Sequence, residues 1–85
     1  MAANSPADPG EQVSVAGDAT VTCLDTVRWG GRRYRIERGW ERWYVDVCSD
    51  GSVALATGFR DGRELDGMPQ WVYEVAQEIA PGGEK

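Results

Sequence analysis

Apolar and polar positions alternate from about residue 19 to residue 60, as they do in β-strands that bury one face. Three turn signals interrupt this alternation: Gly30-Gly31, Gly39-Trp40 and Ser49-Asp50-Gly51. Each suits a tight hairpin, because glycine readily adopts the positive φ angles that such turns require. The pattern therefore predicts four antiparallel strands joined in sequence order, a β-meander.

The three turns also predict how the strands pair, since directly opposed residues share a sheet face. The first turn places Val27 opposite Tyr34, and the second places Tyr34 opposite Val45. The third turn places Val45 opposite Leu55. All three registers agree on one apolar face, which comprises Val21, Cys23, Val27, Tyr34, Ile36, Trp43, Val45, Val47, Val53, Leu55 and Phe59. A slip of one residue at any turn would invert that face.

A C-terminal helix is predicted to cover the apolar face. Apolar side chains recur at helical spacing between Pro69 and Ala80, and they comprise Met68, Val72, Val75, Ala76 and Ile79, with Trp71 on the flank. Pro69 suits the first turn of a helix, and Pro81 with Gly82 ends it. The fold class predicted is α+β, a four-stranded meander in the order 1-2-3-4 with one helix packed on it.

The segments outside this unit show no hydrophobic period. Residues 1–18 are rich in Pro, Gly, Ser, Ala and acids, and residues 81–85 are similar. Such composition cannot bury enough apolar surface to order a chain, so both segments are predicted to be disordered tails. The sequence thus predicts a single ββββα domain over residues 19–80.

Charge and composition narrow the functional class. The net charge is −5 over 85 residues, yet residues 28–42 carry six arginines against two glutamates. An acidic total disfavours general nucleic-acid affinity, while the basic segment leaves a local site open. No basic segment followed by an apolar stretch marks a secretory signal, and no apolar run is long enough to cross a membrane. The expected compartment is the cytoplasm.

Catalytic chemistry is not predicted. The chain contains no histidine, which removes the commonest general base and metal ligand. Its two cysteines, Cys23 and Cys48, are far apart in sequence and fall on opposite sheet faces, so two reduced thiols are expected. No phosphate-binding glycine loop, calcium loop or nucleophile elbow is present. We expect no enzyme activity, no cofactor and no metal.

The leading functional prediction is a protein-binding module, a small acidic accessory, adaptor or inhibitor protein that occupies a partner surface. Tryptophan is enriched among the residues that dominate binding energy at interfaces, and two tryptophans fall at predicted hairpin ends, where they could equally fold back over the sheet edge. The outer face of the helix is acidic and could meet a basic partner. The candidate binding residues are Trp29, Trp40, Glu74 and Glu78.

Nucleic acid is the alternative partner. The uncovered sheet face is predicted to present Arg28, Arg33, Arg35 and Arg42 around Tyr44, with the small residues Ala54, Ala56 and Gly58 beside them. Arginines and an aromatic ring on a sheet can bind phosphates and stack on bases. The same registers, however, allow cross-strand ion pairs of a solvated face, namely Arg42 with Glu37, Arg38 with Glu41 and Arg33 with Asp46.

Three strands followed by a helix, over about residues 32–80, resemble in topology the arm-type DNA-binding domains of integrases, which read DNA with a sheet. The resemblance implies DNA contact through the sheet. The acidic net charge departs from such domains.

A third prediction is homodimerisation through a sheet edge, since residues 54–57 carry no charge that would oppose pairing with another copy.

Overall fold

The computed structural model describes residues 8–15, 17–27 and 30–79. The elements in this part of the chain are β1 (Gln12–Val13), β2 (Thr20–Thr26), β3 (Arg32–Arg38), β4 (Glu41–Val47), β5 (Val53–Arg60), β6 (Arg63–Leu65) and α1 (Gln70–Ile79). The strands form one antiparallel sheet in the order β1-β2-β3-β4-β5-β6, and α1 packs on one face of it. The predicted α+β class, the meander and the C-terminal helix are confirmed.

The predicted number of strands was wrong, because the sheet has six strands rather than four. The short strand β1 lies inside the segment predicted to be a tail, where Val13 pairs with Val21 and packs against the core. The other extra strand, β6, lies between β5 and α1, where no strand was predicted, and is joined to β5 by Asp61 and Gly62, with φ angles of 53° and 82°. An Asp-Gly pair with two positive φ angles is a common hairpin turn, and this signal was missed.

The hairpin between β2 and β3 pairs differently from the prediction. Tyr34 lies opposite Cys23 rather than Val27, and an irregularity follows between Cys23 and Asp25. Gly31 does not act as one half of a two-residue turn. It is buried, and a Cβ atom there would lie 2.7 Å from the carbonyl oxygen of Val47, so the backbone passes too close for any other residue. Val21 and Cys23 nevertheless lie on the core face, as predicted.

The hairpin between β3 and β4 has the predicted register, with Tyr34 opposite Val45 and Ile36 opposite Trp43. Gly39 has a φ angle of 59°, in the range required at the first central position of a type II′ turn. That turn leaves the Trp40 side chain at the tip of the hairpin.

The hairpin between β4 and β5 begins as predicted and then departs from the prediction. Val47 lies opposite Val53, but an irregularity next to it shifts the pairing by one residue. Since side chains alternate between faces, the shift inverts the rest of β5. Leu55 and Phe59 therefore lie away from the core, and their assignment to the core was wrong. The small residues Ala54, Ala56 and Gly58 do not line the uncovered face as a set either: Ala56 packs against the core, and Gly58 lies buried opposite Trp43.

Trp43 explains this register. A Cβ atom on Gly58 would lie 2.3 Å from the Trp43 ring, so the indole needs a glycine opposite it. Trp43 is fully buried, and its Nε1 donates a hydrogen bond of 3.2 Å to the Glu41 carboxylate. The bulge thus places Gly58, the only glycine of β5, opposite Trp43, the largest side chain of the core.

The core lies between the sheet and α1. Its buried apolar residues are Val21, Cys23, Tyr34, Ile36, Trp43, Val45, Val47, Val72, Val75, Ala76 and Ile79. Two contacts fix the direction of the helix: Arg38 lies 5.0 Å from the centre of the Trp71 ring, and Gln77 Nε2 donates a 2.6 Å hydrogen bond to the Gly51 carbonyl. The helix therefore runs from the β3–β4 turn towards the β4–β5 loop. In the described part of the chain, no helix has the length and apolar character needed to cross a membrane.

Candidate binding surface on the open sheet face

The sheet face opposite α1, here called the open face, is built from rows of directly opposed residues. One row consists of Gln12, Thr22, Arg35, Tyr44 and Thr57. The neighbouring row consists of Thr20, Glu37, Arg42, Phe59 and Glu64. A third consists of Asp25, Arg33, Asp46 and Leu55. Three of the predicted arginines and Tyr44 therefore share this face, while Arg28 lies outside the described residues.

Arg33 is held by Asp46. The guanidinium donates two hydrogen bonds to the carboxylate, of 2.6 Å from Nε and 2.9 Å from Nη2. Hydrogen bonding to Asp46, with the attraction of its charge, raises the pKa of Arg33 above its ordinary value. Asp46 is buried although it is charged, so this two-point contact neutralises it. Arg33 therefore stabilises Asp46 within the sheet, and its guanidinium is less available to bind a phosphate group.

Arg35 and Arg42 share one carboxylate. Glu37 lies 3.1 Å from Nε of Arg42 and 3.4 Å from Nε of Arg35. The Arg35 Nε atom is buried and, despite the nearby charge, donates no hydrogen bond. Hydrogen bonding to Tyr44 and then to Glu37 raises the pKa of Arg42. Two guanidinium groups beside Tyr44 thus have one carboxylate between them, which leaves this part of the open face with a local positive charge.

A shallow groove of about 440 Å³ lies at the end of the open face where the β3–β4 and β5–β6 turns meet. It is called here the Trp40 groove, and its lining residues are Glu37, Gly39, Trp40, Glu41, Arg42, Tyr44, Phe59, Asp61 and Gly62. Trp40 is 81% exposed at its rim. On its floor, the rings of Tyr44 and Phe59 pack edge to face, with centroids 6.2 Å apart.

The acidic residues of the helix line a different groove. Glu74 and Glu78 border a depression of about 240 Å³ between α1 and the start of β2, together with Asp18 and Trp71. Arg38 crosses it, stacked on Trp71 and 3.3 Å from the Asp18 carboxylate. The structure therefore does not bring Trp40 together with the two glutamates, and Trp29 lies outside the described residues.

The ion pairs predicted for the open face are formed in two cases out of three. Arg33 pairs with Asp46 and Arg42 pairs with Glu37, as the registers indicated. Arg38 does not pair with Glu41, because Asp18 and Trp71 engage its guanidinium instead.

The two cysteines lie in different environments. Cys23 is fully buried, and this burial raises the pKa of its thiol, while Cys48 is half-buried. Neither cysteine forms a disulfide. Among the residues that the structure describes, no group of His, Cys, Asp or Glu side chains is placed to hold a metal ion.

Sequence reasoning missed two parts of the Trp40 groove. The predicted registers place Phe59 on the core face, and no turn is predicted at Asp61 and Gly62. The Asp-Gly pair was the available signal for the turn. No signal in the sequence marked the bulge that turns Phe59 outwards.

Comparison with known proteins finds no matching family model, no similar curated protein and no similar solved structure.

Proposed function

We propose that this protein is a non-catalytic protein-binding module, a small acidic accessory, adaptor or inhibitor protein that acts by occupying a partner surface through the Trp40 groove. The observation that carries the proposal is the position of Trp40, which is 81% exposed at the rim of a groove floored by two further aromatic rings. Burying such an indole against a partner is strongly favourable, since large aromatic side chains supply most of the energy at many interfaces.

The chemistry of the groove supports a protein partner. Tyr44 and Phe59 supply an apolar floor, while Arg42, Glu37 and Asp61 supply both signs of charge at the rim. An aromatic centre with a polar rim is the usual anatomy of a protein–protein interface. The groove is shallow and open, which suits a loop or side chain of a partner better than an enclosed small molecule. The acidic groove along α1, with Glu74 and Glu78, is a second surface that complements a basic partner.

A nucleic-acid-binding domain remains the second candidate, on one observation. Arg35 and Arg42 share a single carboxylate beside Tyr44, so phosphate groups would find positive charge next to an aromatic ring. Against this stands the Arg33–Asp46 pair, which removes one of the predicted phosphate ligands. The net charge of −5 also repels a polyanion over longer distances.

The protein-binding proposal is tested with a matched pair of variants at Trp40. Proteins captured from the source cells by the wild type are purified, and their affinity is measured by isothermal titration calorimetry. Trp40→Ala is expected to weaken binding by at least about 30-fold, as for an interface hot spot of about 2 kcal/mol. Trp40→Phe retains an aromatic ring and should lose much less. Equal binding by wild type and Trp40→Ala would exclude the groove as the interface.

The nucleic-acid candidate is tested by fluorescence anisotropy of labelled DNA and RNA, single- and double-stranded, over a salt series. The informative variant is Arg35→Gln with Arg42→Gln, because Arg33 is needed by the buried Asp46. Binding that falls steeply with salt and disappears in this variant would establish the second candidate. Absence of binding at low salt, where electrostatic affinity is greatest, would remove it.

A further inference from the structure

One edge of the sheet is only partly covered. β6 pairs with β5 at Gly58, Phe59 and Arg60 and extends no further. Within the described part of the chain, no strand pairs with the outer side of residues 53–57. This stretch, called here the β5 edge, is five residues long and spans about 17 Å. Its outward backbone groups are a template for another strand.

The β5 edge lacks charge and proline, and the bulge at its Val53 end is the one protective feature it has. Proteins protect such edges with charged side chains, especially lysine, or with proline. Residues 53–57 read Val-Ala-Leu-Ala-Thr and contain neither. Leu55 is moreover 51% exposed on the open face. The covered end of the same strand differs, since Arg60, Arg63 and Glu64 lie there.

A second exposed apolar side chain flanks the same edge on the helix side. The hydrogen bond from Gln77 to the Gly51 carbonyl places one side of α1 over the loop that leads into β5. Tyr73 lies one helical turn before Gln77 and therefore on the same side. It is 44% exposed. Two of the three exposed large apolar side chains among the described residues, Leu55 and Tyr73, thus border the β5 edge.

We propose that the β5 edge pairs antiparallel with the β5 edge of a second copy of this chain, about a two-fold axis near Leu55. The five-residue stretch is centred on Leu55, so antiparallel self-pairing about that residue places the two Leu55 side chains opposite each other on the open face, with regular strand on the Thr57 side and the bulge on the Val53 side. The segment has no charge, so self-pairing creates no like-charge contact. The two helices lie on one side of the joined sheet, each presenting Tyr73 towards the axis.

The boundaries of the edge allow a second copy to pair there without a clash. On one side, β6 begins opposite Gly58 and blocks further pairing. On the other, the chain leaves β5 before Val53 at the Asp50–Ser52 turn, where Asp50 accepts hydrogen bonds from the Ser52 backbone and hydroxyl. In the antiparallel dimer, the Asp50–Ser52 turn of one copy lies beside β6 of the other copy. The turn leaves the sheet at this point, so it does not overlap with that β6 strand.

The dimer is expected to be weak. A single pair of five-residue strands with two exposed side chains on each copy buries less than the ~1,200 Å² of a standard stable interface. A dissociation constant between about 10 μM and 1 mM is therefore expected. The dimer does not require the proposed function, because Trp40 lies in the β3–β4 turn and Leu55 towards the other end of the sheet, although Thr57 of the β5 edge is directly opposite Tyr44 of the groove.

The test is sedimentation-velocity ultracentrifugation of the full chain from about 10 μM to about 1 mM, which brackets the expected affinity. The wild type should shift from monomer to dimer over this range. Leu55→Lys places a charge on the edge and should remain monomeric throughout. The matched control is Trp40→Lys, which makes the same kind of change at an exposed apolar residue away from the edge and should dimerise like the wild type.

Three results would overturn the proposal: a wild type that stays monomeric up to about 1 mM, a dimer that survives Leu55→Lys, or a dimer lost in Trp40→Lys. Hydrogen–deuterium exchange gives a second readout that needs no variant. Backbone amides of residues 53–57 should become more protected as the wild-type concentration rises. Protection that does not change there while dimer forms would place the interface elsewhere and refute pairing through β5.

Discussion

Replacing Gly58 by alanine tests the most demanding contact of the core. Gly58 is buried opposite Trp43, and its φ angle is not in the positive range, so alanine is compatible with the backbone. The added Cβ atom would lie 2.3 to 2.4 Å from Cε2, Cδ2 and Cζ2 of the Trp43 ring. Carbon atoms in contact normally lie about 3.5–4.0 Å apart. The ring or the strand therefore has to move by more than about 1 Å.

The expected cost follows from the surroundings of the ring. Trp43 is fully buried, so it has no solvent-facing space into which to move. Overpacking of this kind costs about 1–3 kcal/mol, and loss of the indole hydrogen bond to Glu41 adds about 1 kcal/mol. Reduced flexibility of the unfolded chain offsets about 0.4–1 kcal/mol. Gly58→Ala should therefore destabilise the fold by about 1–3.6 kcal/mol, which lowers the Tm by roughly 4–29 °C in a domain of this size.

Urea unfolding at 25 °C, followed by circular dichroism, measures the change in free energy of unfolding. The control is the same substitution in a Trp43→Leu background, where the smaller side chain leaves space for the Cβ atom. There the cost should fall below about 1 kcal/mol, because the two sites are directly coupled. An equal cost in both backgrounds, or a Gly58→Ala protein as stable as the wild type, would refute the steric explanation of the β4–β5 register.

Three further predictions concern single groups. Asp46→Asn should lower the Tm, because Arg33 loses the carboxylate that accepts its two hydrogen bonds. An unchanged Tm would show that the ion pair does not contribute to stability. A thiol reagent should modify Cys48 in the native protein and Cys23 only after unfolding. Equal modification rates of the two cysteines in the native protein would contradict this prediction. Burial raises the pKa of Cys23 and of Tyr34, so the unfolded chain loses these protons first as the pH rises. Stability should therefore decrease above about pH 9, and Cys23→Ala should reduce that decrease in denaturant titrations.

The success of each hairpin prediction depended on whether the turn alone determined the register. Gly39 begins a two-residue turn with regular strands on both sides, so its position was sufficient. In the next hairpin the turn was right, and Val47 meets Val53 as predicted. The bulge beside that pair depends on the Trp43 ring meeting Gly58, a contact between residues that only the folded sheet brings together. Periodicity alone does not reveal such a contact.

The candidate site was predictable where it depends on β3 and β4. Arg33 and Asp46 were expected to pair because the register of a correctly predicted hairpin opposes them. The place of Trp40 in that turn was also predicted, while its exposure, left open by the sequence, is a finding of the structure. The floor of the groove was not predictable, because Phe59 reaches the open face only after the bulge inverts β5. A local sequence pattern thus predicted the rim of the groove, and tertiary packing determined its floor.

The two proposed surfaces have a joint consequence, because they lie at opposite ends of the sheet. Trp40 and Asp61 belong to turns at one end, whereas residues 53–57 begin at the other. A dimer formed through β5 would leave both Trp40 grooves open and would bind two sites at once. Linked binding of this kind raises apparent affinity by about 10²–10⁴ only when both sites can be engaged. Leu55→Lys should then weaken retention on a densely immobilised partner and leave affinity for the same partner in dilute solution unchanged. Equal loss in both formats would mean that Leu55 contacts the partner directly and would refute this linked binding.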